Sequence, residues 1–149
     1  MHPFDLRTVL FAKHAQHVAL VHFPIGLFIA GAVFDFLAQH ANRARFAMVA
    51  YYNFLAAAIS AVPVLATGIL AWQFQLEGQR PKGVLLLHLI LGCASAVLMT
   101  AVWYWHFQSR KKSQRNRPVA RLMLEAVAVA AITLTGHLGG FLSGVNTPS

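Results

Sequence analysis

At 149 residues the chain has the length of one domain, and its 58% hydrophobic and 11% charged content excludes an ordinary soluble domain, which carries roughly a quarter charged residues. The net charge of +8 does not mark a nucleic-acid surface, because half of the twelve Lys and Arg residues fall between Arg110 and Arg121, squeezed between two apolar blocks, where cationic loops set membrane orientation. A single cysteine, Cys93, inside an apolar block excludes an intrachain disulfide and a multi-cysteine zinc or iron–sulfur site.

No removable signal peptide is read at the start: Met1 to Leu20 lacks a small-residue cleavage site after a short apolar core, so the first span is expected to act as an uncleaved insertion signal. The segment Phe4 to Gln16 mixes Phe4, Leu6, Val9, Leu10 and Phe11 with Asp5, Arg7, Lys13 and His14, too short and too polar to span. It is expected to be an interfacial helix feeding the first span. Four apolar blocks then follow, 17–38, 46–72, 84–106 and 122–145, each long enough at about 1.5 Å per residue to cross a hydrocarbon core of about 30 Å.

Short links join the spans, at His40 to Arg45, at Gln73 to Gly83 with Gly78, Pro81 and Gly83 as breakers, and at Phe107 to Arg121. The expected fold is therefore all-α, a single membrane domain over residues 1–149: an up-down-up-down four-helix bundle with a short N-terminal interfacial helix, in contact with the lipid bilayer. Arg43, Arg45 and the Arg110–Arg121 group place eight cations on one face, against Arg7, Lys13, Arg80 and Lys82 on the other. The heavier face is expected to be cytoplasmic, with both termini outward, periplasmic if the membrane is the inner membrane of a Gram-negative bacterium. Trp72 closes the second span, and Trp103, Tyr104 and Trp105 close the third, as interfacial anchors do.

Polar and small residues recur at steps of three and four in each span, and each such stripe is expected to face the bundle interior. The stripes are His22, Gly26, Ile29 and Val33; Asn53, Ala57, Ser60, Val64, Thr67 and Ala71; His88, Gly92, Ser95 and Met99; and Thr133, His137, Gly140 and Gly144. An ionisable side chain within a span is a functional hypothesis by default. Counted along the helical rise, His22 and His88 lie roughly 6–8 Å from the outer ends, His137 about 12 Å, and His17 at the mouth. Four imidazoles from three helices thus gather in one leaflet, beside a surface bared by Gly136, Gly139, Gly140 and Gly144.

Imidazole nitrogen suits iron, copper and zinc. The leading expectation is a b-type haem, since no C-x-x-C-H attachment sequence occurs, with His22, His88 and His137 as axial or metal ligands and His17 as a further candidate; Gly136 and Gly140 would lie against the cofactor. His17 and His22 stand about 140° apart around an ideal helix, and Pro24 is where a kink would arise. The alternatives are a histidine site for copper or zinc, and a structural or assembly subunit of a membrane complex without cofactor. Electron transfer would link quinone to a periplasmic redox protein, in a homo-oligomer or a larger membrane complex, with no nucleic acid involved.

On the inner side Asp35 and Glu125 are expected to pair with Arg43, Arg45 or Arg121, with a proton-binding or quinone-binding patch as the second reading. His2, His14, His40 and His106 are read as edge imidazoles without a special role. A hydrolase finds no support: there is no G-x-S-x-G, and Ser143 near His137 lacks an acidic third member on its side.

The run His17-Val-Ala-Leu-Val-His22-Phe-Pro24-Ile-Gly26, followed by Phe34-Asp35, resembles the opening of a bacterial family of four-span membrane proteins catalogued as domain of unknown function 2231. Thr67-Gly68-Ile-Leu, His88 and Gly136-His137-Leu-Gly139-Gly140 extend the resemblance over nearly the whole chain. It departs from the family pattern at Val18, where a proline is usual, and at Ala71, where many members carry an aspartate. The resemblance implies fold and topology, not an activity.

Overall fold

The computed structural model describes residues 13–40, 43–75, 80–112 and 118–143. They form four α-helices: α1 (Lys13–Ala38), α2 (Arg43–Gln75), α3 (Gly83–Lys112) and α4 (Pro118–Leu142). Each is longer than its apolar block, because a helix leaving the hydrocarbon must still pair its backbone groups and so runs on into its polar flanks. The third helix accordingly continues to Lys112, and the fourth begins at Pro118, a residue suited to a first helical turn where no amide partner is needed. Gly83, at φ 55°, supplies the left-handed residue from which α3 starts. Most of the expected interfacial helix lies outside the described residues; residues 13–16 form the first turn of α1.

All four helices are long and apolar enough to span a membrane. Their outward sides are uncovered: Ile59, Val62 and Val97 are 63%, 67% and 68% exposed. Apolar surface on that scale belongs in lipid, where it costs nothing. Pro24 and Pro63 lie inside α1 and α2, which continue through them, and the Pro63 carbonyl accepts a bond from the Thr67 hydroxyl at 2.9 Å.

The helices pack in a ring, α1 on α2, α2 on α3, α3 on α4, with α4 closing on α1 through the smallest of these contacts. Neighbours run antiparallel. The start of α1 meets the end of α2 through His17 and Val64, while the end of α1 meets the start of α4 through Asp35 and Arg121.

Inward residues alternate steps of three and four in every helix. They are Pro24, Phe28, Gly31, Asp35 and Ala38 in α1; Ala50, Phe54, Ala57 and Ala61 in α2; Ser95, Met99, Val102 and His106 in α3; and Glu125, Ala128 and Ile132 in α4. Half-buried residues carry the same seams onward: His17 and Val21, Val64 and Gly68, His88 and Gly92, Thr135 and Gly139. A mean spacing of 3.5 residues is the seam of a left-handed antiparallel bundle.

These seams correct two of the expected stripes. His22, Gly26, Ile29 and Val33 of α1, and Thr133 and His137 of α4, are exposed. The reason is local: His22 Nδ1–H donates to the Val18 carbonyl at 2.8 Å and the Thr133 hydroxyl to the Val129 carbonyl at 2.8 Å, so each satisfies a polar group on its own helix without turning inward. The α3 stripe is as expected, and that of α2 shares Ala57, Val64 and Ala71 with the inward side while Asn53, Ser60 and Thr67 are half-buried beside it. Among the described residues the only hydroxyl pair bridging two helices is Ser95 with Thr135, at 3.1 Å.

The middle of the bundle is apolar, built around the fully buried rings of Phe28 and Phe54, whose centres are 5.0 Å apart. Gly31 makes room for this pair: a Cβ at that position would stand 2.8 Å from Phe54 Cε1 and 2.9 Å from Cδ1. Gly31→Ala is therefore expected to destabilise the bundle by about 1–3 kcal/mol, as overpacking a filled core does, seen as a lowered unfolding midpoint in detergent.

Candidate functional site

Among the described residues the four seams carry ionisable side chains only toward their two ends. His17 and Asp35 are separated by eighteen residues of α1, and His88 and His106 by eighteen residues of α3. That is about 27 Å of helical rise, close to the thickness of a hydrocarbon core. Two polar layers thus sit near opposite faces of the membrane, with the aromatic core between them.

The first layer contains His17 and His88, from helices diagonal to one another, with ring centres 6.4 Å apart and planes at 89°. His17 Nδ1–H donates to the Val64 carbonyl of α2 at 3.1 Å, with Thr67 Oγ1 also at 3.3 Å. His88 Nδ1–H donates to the Thr135 carbonyl of α4 at 3.1 Å. A carbonyl can only accept, so both rings carry their proton on Nδ1 and their lone pair on Nε2, the arrangement that orients metal-ligating histidines.

A glycine backs each ring. A Cβ on Gly68 would lie 3.0 Å from His17 Cε1, and one on Gly139 3.1 Å from His88 Cε1. Neither glycine can gain a side chain without displacing its imidazole.

Of the four expected histidines, the structure brings His17 and His88 together. His22 and His137 reach the exposed sides of α1 and α4, His137 with its ring 4.9 Å from that of Phe141. Gly136 is exposed and Gly140 half-buried; a Cβ on Gly136 would meet only Ile25 Cδ1, at 3.8 Å. An open apolar groove between α1 and α2, lined by Phe23, Leu27, Ile59 and Pro63 among others, contains no histidine.

The second layer is a network of four ionisable side chains. Asp35, 1% exposed, receives the Arg121 guanidinium through both oxygens: Nε to Oδ2 at 3.1 Å, Nη2 to Oδ1 at 3.0 Å and Nη2 to Oδ2 at 2.8 Å. Glu125, one turn along α4, places Oε1 2.9 Å from His106 Nε2 and 3.7 Å from Arg121 Nε. His106 is 5% exposed and lies against the Phe54 ring, centre to centre 4.8 Å.

The expected pairing of the carboxylates with Arg121 is what the structure has. The reading of His106 as an edge imidazole is corrected, since it is buried and bonded within the network. The signal was present: His88, Gly92, Ser95, Met99, Val102 and His106 form one unbroken run of fours and threes, so the residue that continues the interior stripe had to be interior too.

Four continuous apolar helices, uncovered on their outward side and with inward ionisable side chains gathered in two layers, define a polytopic α-helical membrane protein. Within that class the chain belongs to the family described as predicted membrane protein DUF2231, whose profile matches residues 13–146. No curated protein and no solved structure matches it.

Proposed function

We propose that this protein is an electron-transfer component of the membrane that binds a b-type haem through His17 and His88. The observation that carries the reading is the imidazole pair itself: two rings from diagonal helices, 6.4 Å apart, each anchored through Nδ1–H on a neighbouring helix. His17 and His88 would hold the iron through their Nε2 lone pairs, and the haem would supply a one-electron couple. His22 and His137 flank the pair on the outside of the bundle, where a partner protein or a second copy would meet them.

The cationic count supports an orientation with the Asp35 layer toward the cytoplasm and the imidazole pair toward the periplasm of a bacterial inner membrane. Electrons would then pass from a quinol in the bilayer to a redox partner outside.

The purified protein, expressed with ample haem, is expected to show a Soret band and a sharpened α-band on dithionite reduction. A spectrum without either band contradicts the haem reading. A single copper or zinc ion is the second reading, favoured by how closely the glycine-backed rings already approach each other; elemental analysis of the same preparation decides it. A sample free of haem and metal leaves a structural or assembly subunit.

A further inference from the structure

We infer that His106 and Glu125 hold one exchangeable proton inside the bundle, in the layer opposite the imidazole pair. The argument is one of charge balance in a low-dielectric interior, and it does not depend on whether His17 and His88 bind a cofactor.

Asp35 and Arg121 cancel each other: the guanidinium contacts both oxygens of that carboxylate and is the only cation in the network among the described residues. Glu125 keeps the longer 3.7 Å approach to the same guanidinium, so with a neutral His106 beside it the layer carries, among the described residues, one negative charge without a counterion. A buried charge of that kind costs several kcal/mol. One proton, shared between Glu125 Oε1 and His106 Nε2 across 2.9 Å, removes it.

A second observation points the same way. Glu125 is 2% exposed, yet its other oxygen, Oε2, is buried with no hydrogen-bond partner at bonding distance and angle among the described residues. An unpaired carboxylate oxygen in such a place is strongly disfavoured, whereas the carbonyl oxygen of a protonated carboxyl tolerates it better. Among the described residues the pair has these neighbours. Asp35 faces it from α1, Arg121 from its own helix α4, and the uncharged ring of Phe54 from α2; Arg110 of α3 is turned away, onto the Tyr51 ring at 4.3 Å.

The oxygens and nitrogen of Asp35, His106 and Glu125 lie within 4.8 Å of one another, close enough for a cation as well as a proton. A divalent ion would overshoot the single missing charge and would compete with Arg121 for Asp35. A proton balances the layer with every observed bond intact.

The chain has two glutamates, Glu77 and Glu125, so carboxyl-labelled glutamate gives two carbon signals, and Glu77→Gln leaves that of Glu125. In lipid nanodiscs, with labelled histidine nitrogen as well, the Glu125 carboxyl and an imidazole nitrogen are expected to move together in one reversible step between about pH 5 and about pH 8. A Glu125 signal constant over that range overturns the inference. So does a signal that zinc or calcium, added at constant pH, moves as far as the titration does.

Discussion

Arg121→Ala is expected to lower the stability of the bundle by about 3–5 kcal/mol, the largest loss of any single polar substitution in the chain. Asp35 is 1% exposed and takes its bidentate partner from Arg121 alone. Truncating the arginine leaves the Asp35 carboxylate in its buried layer without its cation. The fork geometry matters as well as the charge, so Arg121→Lys recovers only part of the loss. Adding Asp35→Asn to Arg121→Ala removes the stranded charge, and the double variant is expected to be more stable than Arg121→Ala alone. Unfolding midpoints of the wild type, Arg121→Ala, Asp35→Asn and the double variant in one detergent, read as a double-mutant cycle, check this. Additive losses would mean that the two side chains do not act as a pair.

Phe54→Ala is expected to cost a similar amount, about 3–5 kcal/mol, by a different route. The ring is fully buried at the centre of the bundle, against Phe28 at 5.0 Å and His106 at 4.8 Å, and over Gly31. Its removal opens a cavity that three helices share. Phe54→Leu refills most of that space and should cost less than half as much. Equal losses for the two variants would show that the site collapses around any side chain. Phe54→Ala should also free the His106 ring, visible as a broadened imidazole signal.

The four spans and their order were legible in the sequence because hydropathy over about twenty residues reads the bilayer directly. The interior faces were only half legible. Choosing the polar face of each helix as the inward one is correct for α3, where His88 and Ser95 lie on the seam, and fails for α1 and α4. There His22 and Thr133 bond to their own backbone carbonyls and face outward. The seam of α4, Arg121, Glu125, Ala128, Ile132, Thr135 and Gly139, mixes charge with apolar residues and so escapes a search for polar stripes. His17 was legible as a histidine within reach of the bundle mouth. Its partnership with His88 depends on the diagonal placement of α1 and α3, which spacing within one helix does not encode.

Haem content of the four single histidine variants tests the central claim most directly. His17→Ala and His88→Ala are each expected to lose the Soret band, while His22→Ala and His137→Ala retain it at the wild-type haem-to-protein ratio. Loss of the band in His22→Ala or His137→Ala, with His17→Ala unchanged, would contradict the assignment of the ligand pair.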